Sequence, residues 1–290
     1  MHAVKEKAYA KINLYIDVVS KREDGFHGIE TVMHSVSLCD EITVTLNSLG
    51  TECIRVVLDG NRRLPTDSKN LAVAAATLFM SRAGIKADIT LKLNKRIPIA
   101  AGLAGGSCDA AATLRAMNKL FGRTFADKAL LSMAAELGSD VPFCLISGTA
   151  LCRGRGEIIT RLPSRLKLYT VIAVAREHVS TPRAYGMLDE KYADYSVPRA
   201  PYALDAVLNA AQSGIMPKEE LYNIFESVVF DECPGAAAIK AQMLTLGATH
   251  ALMSGSGPSV FGVFGSEELA SAARDRLIDL GFTAYLATSV

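Results

Sequence analysis

Polar and apolar residues alternate from Glu6 and then give way to an apolar run ending at Val19, with Tyr15, Ile16, Val18 and Val19 favouring strand. Residues 6–19 therefore read as a β-strand, followed by a charged turn over 21–28. Further strands are predicted over 30–38, 41–46 and 53–58. Apolar residues then recur at helical spacing over 71–82, with Asp67 or Ser68 as the N-cap and Gly84 as the stop. Clean alternation predicts a strand over 88–93. A helix follows from Ala110, with Leu114, Met117 and Phe121 on one face and Ser107 at its N-cap. Thr124 and Asp127 have capping-box spacing for a helix to Glu136, and residues 138–143 read as a tight turn into a strand. Beyond a glycine- and arginine-rich stretch over 149–165, strands are predicted over 168–175, 249–253, 259–264 and 282–288. Helices are predicted there over 182–192, 202–211, 218–230, 234–246 and 267–280. Helices and strands mix without a β-α-β-α rhythm, which argues for an α+β fold in both halves. The boundary falls near residue 160, giving an N-terminal domain over 1–160 and a C-terminal domain over 161–290.

Between the strand over 88–93 and the helix after it lies Pro98-Ile-Ala-Ala-Gly-Leu-Ala-Gly-Gly-Ser-Cys-Asp109. Small residues leave its backbone N–H groups open to a close approach, and a glycine turn opening a helix aims those groups and the helix dipole at one point, which suits a phosphate. Gly106 is followed by Ser107 rather than lysine, which excludes the P-loop pattern. The spacing of Gly102, Gly105 and Gly106 likewise excludes the dinucleotide fingerprint. A small-residue helix start packed on a neighbouring strand is the plainer alternative.

Composition narrows the field. With 31 basic and 30 acidic residues among 290, the net charge of +1 leaves no electrostatic footprint for nucleic acid or an anionic membrane. No apolar run is long enough for a bilayer and residues 1–9 lack a signal-peptide core, so the expected location is the cytoplasm. Six cysteines without C-x-x-C pairs read as reduced thiols, and five scattered histidines offer no zinc pattern.

Pro98-x-x-Ala101-Gly102-Leu103-x-Gly105-Gly106-Ser107-x-Asp109 resembles the ATP-phosphate loop of the GHMP kinase superfamily, whose members phosphorylate small-metabolite hydroxyls. Lys11-Ile12-Asn13-Leu14 and Ser254-Gly255-Ser256-Gly257-Pro258-Ser259 resemble its other two motifs, in the same order. Asp24-Gly25-Phe26-His27 followed by Glu30-Thr31-Val32-Met33 is similar to the branch whose acceptor is a cytidine diphosphate-linked polyol in isoprenoid precursor synthesis. Ala104, Cys108 and Phe26 depart from the branch's usual Gly, Ser and Tyr. The resemblance implies an N-terminal domain like domain 2 of ribosomal protein S5 and a ferredoxin-like C-terminal domain. A homoserine- or mevalonate-type acceptor is the alternative within the superfamily. An RNA-binding module is the alternative outside it, since the S5-like fold also binds RNA.

What the resemblance implies for single residues is specific. Lys11 and Asp140 are catalytic, the aspartate as base towards the acceptor hydroxyl and the lysine against charge on the phosphoryl group. Pro98, Ala101, Gly102, Leu103, Ala104, Gly105, Gly106 and Ser107 hold the ATP phosphates, and Asp109 faces away or works through Mg²⁺. Asn70 and Lys95 lie near adenine and ribose. Asn13, Asp140, Ser256 and Gly257 meet the acceptor, Phe26 and Tyr185 sandwich its base, and His27 reads the base's polar edge. ATP is the co-substrate and Mg²⁺ is expected with it, although spacing alone nominates no metal ligand. The expected partners are small molecules, without nucleic acid or membrane, for a monomer or weak homodimer.

Overall fold

The computed structural model describes residues 2–59, 64–192, 194–195, 199–218 and 221–290. In chain order the elements are β1 (His2–Lys21), β2 (His27–Leu49), β3 (Cys53–Asp59), α1 (Leu71–Ala83), β4 (Ala87–Asn94), α2 (Gly105–Leu120), α3 (Asp127–Leu137) and α4 (Val141–Ile146). There follow β5 (Thr149–Arg153), β6 (Ile158–Leu162), β7 (Tyr169–Val174), α5 (Thr181–Lys191), α6 (Pro201–Ser213), β8 (Tyr222–Asn223) and α7 (Glu226–Glu232). The chain ends with α8 (Pro234–Thr245), β9 (His250–Met253), β10 (Ser259–Phe264), α9 (Glu267–Asp279) and β11 (Thr283–Thr288). Two compact units result, one of residues 1–10, 39–99 and 104–147, the other of residues 11–38, 100–103 and 148–290.

In the first unit β3 pairs parallel with β4, and β4 pairs antiparallel with the second half of β2 from Glu41 to Leu49. Ile42, Ile89 and Leu91 project from these strands into a core with no solvent exposure, and α1 packs on β3 and β4. Asn70 caps α1, its Oδ1 accepting from the Ala72 N–H at 3.0 Å, where Asp67 or Ser68 was expected; Asp67 instead turns back on Lys69 N. Gly84 at φ +64° closes the helix as its glycine predicts. Helix α2 begins at Gly105, well before the expected start, and its N-cap is Ala104 in the left-handed region at φ +58° with no side-chain cap bond. Ala126 rather than Thr124 precedes α3. The expected turn-to-strand over 138–143 is instead a short helix, α4, because Pro142 falls in its first turn, where a missing N–H and fixed φ cost nothing.

In the second unit the first half of β2 pairs antiparallel with β5, and β5 with β6, while β8 pairs parallel with Tyr15 and Ile16 of β1. A separate antiparallel sheet has the order β11-β7-β10-β9. With α8 and α9 packed on it, this sheet is the ferredoxin-like β-α-β-β-α-β arrangement, carrying α5 to α7 as an insertion after β7. The helix expected over 218–230 is replaced by β8 and α7, and residues 219–220 of that expectation lie outside the described residues. Asn223 explains the change: its side-chain amide donates to Met253 O at 2.7 Å and Gly255 O at 2.9 Å, and its Oδ1 accepts from Phe225 N. Those bonds hold residues 222–223 extended. Strand β2 runs unbroken through Asp40, where two strands were expected.

Candidate active site

Lys11 lies on β1 with only 4% of its surface exposed, so its ammonium must find partners inside the protein. Nζ donates to Asn13 Oδ1 at 2.7 Å and to Gly102 O at 2.8 Å. Alternation along β1 puts Lys11 and Asn13 on one face, and the Asn13 amide passes the network on to Thr31 Oγ1 at 2.8 Å, which in turn donates to Tyr15 O. Ser254 Oγ reaches Gly102 O at 3.0 Å. Gly102 has φ +76°, and a Cβ there would lie 2.1 Å from Ser254 O, so both backbone conformation and space require glycine. The expected Lys11–Asn13 pair is therefore assembled together with Gly102. Ser254, from the second glycine motif, joins it, and Asn223, which the sequence does not nominate, holds the neighbouring turn through Met253 O and Gly255 O. Ser256 bonds Thr181 through their hydroxyls at 2.9 Å, and Gly257 follows at φ +80°.

In the first unit Asp40, fully buried, accepts from Lys95 Nζ, from Arg96 N at 2.5 Å and from Ile97 N at 2.8 Å, fixing the segment that leads to Pro98. Lys95 also donates to Asp109 Oδ2 at 2.5 Å. Burial would pull the Lys95 pKa down, but Asp109 and Asp40 outweigh it and hold the ammonium above its ordinary value. Burial, with Asp40 adding to it against the pull of Lys95, pushes the Asp109 carboxyl up to about 7. Asp109 Oδ1 is buried and unpartnered. Helix α2 thus starts with no side chain over its first N–H groups and with Asp109 turned onto Lys95. Gly106 is exposed, and an added Cβ would meet only Leu71 Cδ1, at 3.6 Å. Asn70 is committed to capping α1 and to Pro65 O. Asp140 stands at the N-cap position of α4 with no cap bond from its side chain. None of the six cysteines is in a disulfide, and the thiols of Cys108 and Cys144 touch at 3.3 Å.

A second cluster in the second unit gathers around His27. Its ring stacks on Tyr185 with centroids 4.7 Å apart, and its Nε2 lies 2.8 Å from Asp189 Oδ1. Tyr185 sets its own edge against Phe225 at 4.9 Å. Phe26 is 52% exposed, with the Arg155 guanidinium 5.1 Å over its ring. His27 and Tyr185 are brought together, and Phe26 pairs with a cation instead of a second ring. Asp189 was missed, yet a signal existed: it follows Tyr185 by four residues on α5 and so shares its face.

Comparison with known proteins agrees with this architecture. Residues 70–148 match the family model for the GHMP kinases N terminal domain, and residues 201–281 match that for GHMP kinases C terminal. The 4-diphosphocytidyl-2-C-methyl-D-erythritol kinase of Caldicellulosiruptor saccharolyticus is 42% identical over 93% of this chain and 91% of its own. The Syntrophomonas wolfei protein of the same name is 40% identical over 93% and 92%. A crystal structure of 4-(cytidine 5'-diphospho)-2C-methyl-D-erythritol kinase superposes with a TM-score of 0.82 at 31% identity, covering 98% of both chains. The homoserine kinase of Cytophaga hutchinsonii, at 23% identity and a TM-score of 0.70 over 99% of this chain and 94% of its own, shares the fold. With its α+β two-domain fold, the chain belongs to the GHMP kinases and, within them, to the 4-diphosphocytidyl-2-C-methyl-D-erythritol kinase family.

Proposed function

We propose a division of roles for a small-molecule kinase that moves the γ-phosphoryl group of ATP to the 2-hydroxyl of 4-diphosphocytidyl-2-C-methyl-D-erythritol. The observation that carries it is the buried Lys11 ammonium, held by Asn13 and by the carbonyl of Gly102 within the glycine loop. A cation fixed by short bonds in a site with little water stabilises charge on a transferring phosphoryl group without reorganising. The uncapped start of α2 supports residues 101–107 as the phosphate cradle, because its N–H donors have no side chain to satisfy them. An alcohol is a weak nucleophile at neutral pH, and Asp140, whose carboxylate caps nothing, is proposed as its base. Asn13 would orient the acceptor, with Ser256 and Gly257 against it. Phe26, His27 and Tyr185 would take its base, and Asn70 and Lys95 the nucleotide's adenosine end.

Among the described residues, no three His, Cys, Asp or Glu side chains group as a metal cage. One unpartnered carboxylate oxygen, on Asp109, stands in the first turns of α2. That donor set fits a Mg²⁺ ion carried in on the nucleotide's phosphates, with Asp109 as its protein ligand, and the ion would neutralise phosphate charge. The division near residue 160 is supported by the two family matches, which fall on either side of it. No helix among the described residues is long and apolar enough to cross a membrane. A coupled ADP-release assay with 4-diphosphocytidyl-2-C-methyl-D-erythritol, homoserine and mevalonate as rival acceptors tests the reading. Turnover is expected with the cytidyl compound alone, and faster turnover of either rival overturns the assignment.

A further inference from the structure

His27 carries two chemically distinct ring nitrogens, and the described residues engage one of them. Nε2 meets Asp189 Oδ1 at 2.8 Å, and no hydrogen bond from a described residue reaches Nδ1. Asp189 is well placed to dictate which nitrogen bears the proton. Its Oδ2 accepts from Lys21 Nζ at 2.7 Å, and its Oδ1 accepts from Tyr195 OH at 3.1 Å as well as facing the imidazole. Burial opposes the charge, but the bonds from Lys21, His27 and Tyr195 outweigh it and bring the Asp189 carboxyl down to about 2. An ionised carboxylate can only accept, so Nε2 must carry an N–H, and with a single ring proton the lone pair is left at Nδ1. The ring cannot swivel out of this arrangement cheaply. Tyr185 stacks on its face, and Tyr195 stands edge-on at 5.7 Å.

We propose that Asp189 is a positioning residue that fixes His27 in the tautomer offering Nδ1 as an acceptor, so that the site selects a pyrimidine bearing an amino group over one bearing a carbonyl. The inference rests on the reading given above, in which His27 meets the base of the acceptor. Cytosine presents a 4-amino donor that such a lone pair can accept. Uracil presents an oxygen at the same place, leaving two acceptors face to face and unpaired. Stacking on an aromatic ring tolerates either base, whereas an unpaired polar group rejects the wrong one.

The test is Asp189→Asn. Lys21 retains the amide oxygen, so the amide NH₂ turns towards His27, Nε2 becomes the acceptor, and the proton moves to Nδ1. Affinities for cytidine 5′-diphosphate and uridine 5′-diphosphate are measured by calorimetry, with the ATP site filled by a non-hydrolysable analogue, in wild type, Asp189→Asn and His27→Phe. The wild type is expected to favour the cytidine compound tenfold or more. Asp189→Asn is expected to reduce that ratio at least tenfold while ATP affinity stays within twofold, and His27→Phe to abolish the ratio. If His27→Phe leaves the ratio intact, His27 does not read the base, and the subsite reading falls together with the inference. If His27→Phe abolishes it and a folded Asp189→Asn preserves it, the tautomer device alone is overturned. Should the asparagine variant fail to fold, ¹⁵N NMR of the wild-type imidazole decides: a proton on Nε2 supports the inference, and a proton on Nδ1 overturns it.

Discussion

Gly106 offers a substitution in which stability and binding should move in opposite directions. It is the second residue of α2, outside the left-handed region, and an alanine Cβ there would make one ordinary contact, 3.6 Å from Leu71 Cδ1. Alanine in a helix is favoured over glycine by up to about 1 kcal/mol, less in a first turn, so Gly106→Ala should leave Tm unchanged or raise it by about 1–3 °C. If the N–H groups here grip phosphate, the methyl instead stands where an oxygen must come. Losing one charge-assisted hydrogen bond, worth about 1.5–3 kcal/mol, should raise the KM for ATP by about 10- to 150-fold. The assay is coupled ADP release with ATP varied at saturating acceptor, beside a thermal melt. An unchanged KM for ATP in a variant of equal or higher Tm refutes the phosphate role of this turn. Gly102→Ala is the contrasting case: at φ +76°, with its Cβ 2.1 Å from Ser254 O and 3.1 Å from Gly257 O, backbone has to move. Stability and activity should fall together there, which says nothing about phosphate.

Asp140→Asn keeps the shape and breaks no cap bond, so kcat should drop by about 10²–10⁴ with KM values nearly constant. A loss under tenfold would reduce Asp140 to positioning the hydroxyl. Tyr185→Ala removes the ring stacked on His27 and should raise the KM for the cytidyl substrate by about 10- to 100-fold without touching that for ATP. The reverse pattern would mean that the two sites are assigned the wrong way round. His34, buried between Thr149 Oγ1 at 2.7 Å and Ser289 Oγ at 2.9 Å, has its pKa lowered by burial from 6.5 to about 4. The fold keeps it neutral and the unfolded chain binds the proton first. Its contribution is therefore complete above pH 6.5 and is lost as pH falls towards 4, about 3 kcal/mol in all. Urea melts at pH 7 and pH 4.5 should show a loss of stability smaller by about 2 kcal/mol in His34→Gln, because pH 4.5 still lies above the folded-state value, and an equal loss in both proteins would contradict the assignment.

How well each element could be read from the sequence depended on what ends it. Strand β10 matches its expectation at both ends, since Gly257-Pro258 and Gly265 punctuate an apolar run that nothing else interrupts. Helix α2 starts five residues before Ala110, because Ser107 looks like a capping side chain in the sequence and a helix whose first N–H groups are left open has none. Asp40 split β2 in the reading because an aspartate amid apolar residues looks like a break. In the fold it stays in the strand and spends its charge on Lys95, Arg96 and Ile97, more than fifty residues away.

A related limit applies at the site itself. From Lys11 to Asp17 the odd positions are Lys, Asn, Tyr and Asp, while the even ones from Ile12 to Val18 are apolar, which in a half-buried strand would mean one dry face and one wet one. Both faces are dry, and Lys11, Asn13, Tyr15 and Asp17 are each at most 4% exposed. A buried polar group costs least when it finds a partner, and for three of these four the partners come from far along the chain: Gly102 for Lys11, Thr31 for Asn13, the N–H of Arg199 for Asp17, while the Tyr15 OH is buried without one among the described residues. Alternation fixes which residues share a face and says nothing about what covers it. For that reason Lys11 and Asn13 can be picked out as a pair from local sequence, whereas the reach of Ser254 Oγ to Gly102 O and the hold of Asn223 on the turn at Gly255 cannot. Asp189 is the intermediate case, since its helical spacing from Tyr185 was visible but its reach to His27 depends on where α5 lies against β2.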